Sequence, residues 1–244
     1  MKLSKGFDST ELKIVAVTAM TVDHIAWMAH IGGAWGSFLH LIGRITAPIM
    51  CFFIAEGYRH TRSVLRYGLR LLVFAAISHF PYLLLQNPEA LQTFELPKLF
   101  ATTSMIWTLL MGLIAITCAD KMPGPILKVL GVLAAMGMAW KSDWSFFGVL
   151  YCVAFWLFQE SKTIMTIAAL SVTLAKFVYV YYAFDRGTPT AYIIANWFQL
   201  GPALALPLLT RYNGERGFNL GRYTFYLYYP LHLVALYLLI GIFT

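Results

Sequence analysis

Apolar residues run along this chain in blocks close to the ~20 residues that a bilayer-spanning helix needs. The blocks fall at 11–31, 37–58, 67–86, 104–119, 125–140, 146–159, 163–183, 190–209 and 223–243. Breakers separate many of them: Gly32-Gly33, Asn87-Pro88, Pro123-Gly124-Pro125, Gly187 to Pro189 and Asn213-Gly214. Leu71 to Leu85, Ile106 to Cys118 and Thr163 to Tyr182 carry almost no charge. The alternation of apolar and polar residues that marks a membrane β-barrel is absent. The pattern predicts an all-α, polytopic transmembrane helix bundle of about nine spans, forming a single domain over 1–244 with no internal repeat.

Composition sharpens this picture. Of the 244 residues, 59% are hydrophobic and 12% charged, against about 25% charged in a soluble domain. A chain of this length cannot hide so much apolar surface in one soluble core. The net charge of +7 has a topological explanation, since Lys and Arg gather in cytoplasmic loops; nucleic acid is not expected as a partner. Cys51, Cys118 and Cys152 lie in apolar runs without CxxC spacing and read as inert small hydrophobes, so neither a disulfide framework nor a metal site is expected. The first apolar run carries Asp23 and His24 with no small-residue cleavage site after it, and reads as a retained first span.

Orientation follows from the basic residues. With the N-terminus inside, the cytosolic segments hold Lys2, Lys5, Arg59, Arg62, Arg66, Arg70, Lys121, Lys128, Lys162, Arg211, Arg216 and Arg222, twelve in all. The opposite side holds three, Lys98, Lys141 and Arg186. The bias predicts a multi-pass inner-membrane protein with its N-terminus cytosolic and its C-terminus outside.

Ionisable groups inside spans are costly and mark sites. At ~1.5 Å per residue, His24, Arg44, His79 and His232 come from four different helices yet fall in one layer slightly outward of the midplane. Asp23 and Glu56 also lie within spans. Lys13 and His24 are eleven residues apart, which places them about 20° apart on one helix face and ~16 Å apart along it. A cytosolic ligand with an anionic head and a long thin arm fits that face. Plainer readings apply elsewhere. His30, His40 and His60, near helix ends, can simply hydrogen-bond a neighbouring helix. Asp23 beside Arg44 can be a structural ion pair, and topology can account for Arg59 to Arg70.

The run Leu12-Lys13-Ile14-Val15-Ala16-Val17-Thr18-Ala19-Met20-Thr21-Val22-Asp23-His24-Ile25 resembles the opening of the TraX family of conjugal-transfer membrane proteins. Gly43 to Pro48, Ala55 to Thr61, Leu69 to Leu72, Ile77 to Pro81, Tyr212-Asn213-Gly214 and Tyr228 to Leu233 fit the same family in the same order. The resemblance implies an acetyltransferase that moves an acetyl group from cytosolic acetyl-CoA, or another acyl-CoA, to the N-terminus of a pilin subunit. It also extends to the acyltransferase type 3 group, in which an Arg stands where this chain has Lys13. Lysine keeps the charge but loses the bidentate fork. Because of that departure, a glycan or other envelope acceptor stays open beside a pilin-like peptide.

What the resemblance implies for the residues is a general base at His24, with Asp23 orienting it or, more naturally, pairing Arg44. His232 and His79 polarise the thioester or bind the acceptor, with Glu56 and Tyr229 in support. Lys13, Arg59, Arg62, Arg66 and Arg70 meet the CoA phosphates. Two other classes compete. A proton-coupled transporter or channel uses the same residue types, but broken helices in inverted repeats are not visible in the sequence. A membrane cytochrome would ligate b-type haem through His24, His79 and His232.

Overall fold

The computed structural model describes residues 6–86, 91, 99, 102–184, 188–221 and 223–241. Among these, helix is the sole regular element. Eleven α-helices have their bounds among the described residues: α1 Ser9–Met28, α2 Gly33–Gly43, α3 Thr46–His60, α4 Val64–Gln86, α5 Met105–Lys121, α6 Pro125–Met138, α7 Ser145–Leu157, α8 Lys162–Phe184, α9 Pro189–Asn196, α10 Leu206–Thr210 and α11 Thr224–Leu236. A 3₁₀ segment, Trp197–Ala205, joins α9 to α10, and a π turn, Tyr237–Gly241, extends α11. Counting α2–α3 and α9–α10 as interrupted rods and the π turn as the end of α11, the described helices occupy the nine expected positions, and no end differs by more than four residues. The expected breakers Asn87, Pro88 and Gly187, and any helix beyond 241, lie outside the described residues, as do Lys2, Lys5, Lys98, Arg186 and Arg222.

Local chemistry starts several of these helices. The Asp8 side chain accepts from the amides of Thr10 and Glu11, and the Glu11 carboxylate takes the Asp8 amide, a closed capping box for α1. Pro125 stands at the first turn of α6 after Gly124 at φ +73°. The Thr188 hydroxyl caps α9 just before Pro189.

Residues 33–60, 64–86, 162–183 and 189–210 are each long and apolar enough to cross a bilayer. The other rods are shorter or, in α1, carry Glu11, Lys13 and Asp23. Large apolar side chains point outward, among them Ile126 (74% exposed), Leu65 (73%) and Ile194 (71%). A water-soluble protein does not leave so much apolar surface uncovered, whereas lipid covers it without cost.

The chain forms two compact units, 1–50 with 158–225 and 51–157 with 226–244. In the first, α2 packs between α1 and the 3₁₀ segment, and α8 packs on that same segment and on α10. The Thr46 hydroxyl donates to the Ala16 carbonyl at 2.8 Å and ties the start of α3 to α1. In the second, α5 is central and packs on α4, α6 and α7. Small residues let these helices close up: a Cβ on Gly112 would stand 2.4 Å from Cys152 Sγ, and one on Gly148 2.4 Å from Thr108 Cγ2.

The second and eighth rods are broken, a feature the sequence did not reveal. Pro48 sits four residues after Arg44, where its ring excludes the Arg44 carbonyl from an ordinary helical bond, and the chain turns at Arg44–Ile45. Gly201-Pro202 lies within the 3₁₀ segment. The two interruptions pack on each other: a Cβ on Gly201 would lie 2.3 Å from the Leu41 carbonyl oxygen and 2.7 Å from Arg44 Cβ.

Candidate functional site

In the first unit, α1 is one continuous helix from Ser9 to Met28, so Lys13 and His24 keep the shared face that their spacing predicts. Lys13 Nζ donates to Ser9 Oγ at 3.4 Å and lies 5.8 Å from the centre of the Phe225 ring. His24 is partly exposed, three turns further along.

Asp23 has a different partner from the Arg44 expected. Its Oδ1 accepts from His40 Nδ1 at 2.6 Å, both side chains about one-fifth exposed. A carboxylate only accepts, so the proton is assigned to Nδ1, which leaves His40 Nε2 as the basic nitrogen. The His40 ring centre is 5.5 Å from that of Phe198, and the Arg44 guanidinium lies over the same Phe198 ring at 5.7 Å. On the next residue of the 3₁₀ segment, Gln199 Oε1 accepts from the buried Lys176 Nζ at 3.3 Å. The first unit thus gathers Asp23, His40, Arg44 and Lys176 around Phe198-Gln199.

His40, Phe198, Gln199 and Lys176 were not among the expected site residues. A signal for His40 existed. Asp23 lies eight residues before Ile31 and His40 eight after Gly32, so any hairpin turning between them sets the two at equal depth. Nothing local marks Phe198, because its role depends on the break in the eighth rod.

The second unit holds the remaining candidates. Arg59 lies in the last turn of α3, Arg62 in the connecting turn, and Arg66 and Arg70 stand one turn apart on α4. The first three are exposed, and the Arg70 guanidinium lies 5.4 Å from the Tyr67 ring centre. Glu56 Oε1 and His60 Nε2 are 3.2 Å apart. At the end of α5, the Tyr58 hydroxyl donates to Asp120 at 2.6 Å and, with Lys121, holds that carboxyl below its ordinary range. His79 Nε2 donates to the Leu99 carbonyl at 2.9 Å. His232 is buried; its Nδ1 donates to the Tyr228 carbonyl at 3.0 Å and its ring stacks on Tyr228 and abuts Tyr229. The four residues expected to share a layer therefore divide between the units, His24 and Arg44 in the first, His79 and His232 in the second. Among the described residues, no three His, Cys, Asp or Glu side chains come together as a metal site.

Apolar helices that face outward, with ionisable groups set within them, define an all-helical membrane protein. Residues 8–240 match the TraX protein family, and the chain belongs to that family. It is 28% identical over 249 aligned residues, 97% of each chain, to a probable fimbrial assembly protein, FimC of serogroup H1, from Dichelobacter nodosus. No solved structure matches it.

Proposed function

We propose that this protein is an inner-membrane acyltransferase that takes an acetyl group from cytosolic acetyl-CoA, crosses the bilayer nine times from a cytosolic N-terminus, and modifies a pilin-like peptide N-terminus or another envelope acceptor. The observation that carries the reading is the Lys13–His24 face of α1, with a fixed cation at one end and a histidine ~16 Å along it. That spacing suits a CoA whose phosphates stay at the cytosolic mouth while its thioester reaches inward. The fimbrial name of the relative supports a pilin acceptor.

The chemistry balances with the residues of this face. The acceptor amine or hydroxyl attacks the thioester carbonyl, and His24 takes the proton it sheds. The C–S bond then breaks, the acyl group stays on the acceptor, and the proton returns from His24 to the departing CoA thiolate. Arg44 and the Asp23–His40 pair supply charge and hydrogen bonds around the reacting carbonyl. The experiment is transfer of labelled acetyl from acetyl-CoA into envelope components by membranes with and without the protein, the acceptor being identified by mass spectrometry. Label transfer that is the same in both membranes overturns the reading.

The two interrupted rods favour a second reading, a proton-coupled transporter or channel. It predicts that protein in sealed vesicles dissipates a proton gradient with no acyl donor present.

A further inference from the structure

The loop 211–221 is bound to the start of α1 along most of its length. The Phe7 amide donates to the Arg211 carbonyl at 2.9 Å, the Asn213 amide to the Phe7 carbonyl at 3.0 Å, and the Ser9 amide to the Glu215 carbonyl at 2.9 Å. The hydroxyls of Ser9 and Thr10 donate to the Arg216 carbonyl at 3.1 and 3.0 Å, and Thr10 also reaches the Phe218 carbonyl at 2.8 Å. Gly214 and Gly217 make this course possible at φ +80° and +72°. At Gly217 a Cβ would also stand 2.1 Å from the Asp8 carboxylate. The Tyr212-Asn213-Gly214 motif thus lies in the segment that is clamped to the entry of α1, and Asn213 makes one of its bonds.

The clamp brings the backbone of Arg216 to within one hydroxyl of the Lys13 ammonium. The Ser9 hydroxyl that donates to the Arg216 carbonyl also accepts from Lys13 Nζ at 3.4 Å. Residues 203 positions apart in sequence are therefore joined through one hydroxyl. The Arg216 side chain is exposed at this point, as is that of Arg211. The nearby carboxylates of Asp8 and Glu11 are engaged with backbone amides of the capping box. Those bonds also occupy the first α1 amides, so an anion bound here is held by side chains.

We propose that Arg216 and Lys13 form a phosphate clamp for CoA at the cytosolic mouth of the first unit. This deepens the acyltransferase reading and rests on it. Lys13 alone is a point charge, whereas the Arg216 guanidinium adds the planar fork that matches phosphate oxygens. Phosphate chemistry is shared by CoA and by anionic lipid headgroups at the inner surface; the Lys13–His24 face, which needs a head joined to a long arm, selects CoA.

The test uses the full chain in neutral detergent with acetyl-CoA as donor. Arg216→Ala keeps every backbone contact of the loop, so its fold is retained. It is expected to raise KM for acetyl-CoA about tenfold with kcat nearly unchanged, the loss of about one charge-assisted contact. Arg216→Lys restores part of the affinity, and the exposed Lys121→Ala serves as a surface-charge control. With acetyl-pantetheine, which has no phosphates, wild type and Arg216→Ala should react alike. An unchanged KM in active protein, an equal defect with acetyl-pantetheine, or a defect seen only in phosphatidylglycerol nanodiscs overturns the clamp. Thermal stabilisation by acetyl-CoA is scored separately. If wild type is stabilised and Arg216→Ala is not, the clamp stands whether or not an acceptor has been found. If neither is stabilised, the clamp and the CoA reading fall together. Stabilisation without transfer to any acceptor counts against the acyltransferase reading alone.

Discussion

Asp23 on α1 and His40 on α2 meet side chain to side chain at 2.6 Å. Gly43 makes the approach possible, since a Cβ there would lie 2.2 Å from Asp23 Cβ. A carboxylate that fixes an imidazole in this way sets its tautomer and orientation. Asp23→Asn preserves shape and can still accept from Nδ1, but removes the charge. It should lower acyl transfer at least tenfold, the scale of about one lost charged contact, with little change in thermal stability. Asp23→Leu leaves the Nδ1 proton without an acceptor and should also cost about 1–3 kcal/mol of stability. Wild-type transfer by the Asn variant would remove the pair from the chemistry.

His24 is the proposed base, and its removal should cost about 10²–10⁴-fold in rate while leaving insertion and acyl-CoA binding intact. His30 is the control. Its φ of +50° makes His30→Asn a better choice than alanine, because asparagine tolerates the left-handed region. Retention of more than about a tenth of wild-type activity by His24→Ala is incompatible with general-base catalysis on this scale, and attention would pass to His232.

The crossing of the two broken rods predicts a contrast between glycines. A methyl group on Gly201 meets a backbone carbonyl, Leu41 O at 2.3 Å, which cannot move aside like a flexible side chain. Gly201→Ala should destabilise by about 1–3 kcal/mol in thermal unfolding. Gly137, within α6, has nothing within 4 Å of where a Cβ would stand, and Gly137→Ala should be neutral or stabilising by up to about 1 kcal/mol. Equal effects at the two sites would show that the crossing is not tightly packed.

Nine spans from a cytosolic start require the two chain ends on opposite sides of the membrane. Reporter fusions at Gly6 and after Thr244 should read cytosolic and external respectively. The same compartment for both would mean that the number of spans is even.

The positions of the helical rods were legible because they depend on local properties. Apolar length and breaker residues place a helix end, and α8, expected at 163–183, forms over Lys162–Phe184. The Lys13–His24 relation was legible for the same reason, since periodicity alone determines it within an unbroken helix. Which rods break was not legible, although the prolines were visible. Pro81 and Pro230 lie inside the uninterrupted α4 and α11, while Pro48 follows a break and Pro202 lies within one. A proline frees a carbonyl, and the surroundings decide whether the helix continues past it. The Asp23–His40 contact and the Lys13–Ser9–Arg216 bridge depend in the same way on packing between elements. They join residues 17 and 207 positions apart, where Gly43 and Gly217 leave room for the side chains of Asp23 and Asp8, a steric condition that no local pattern of apolar and polar residues records.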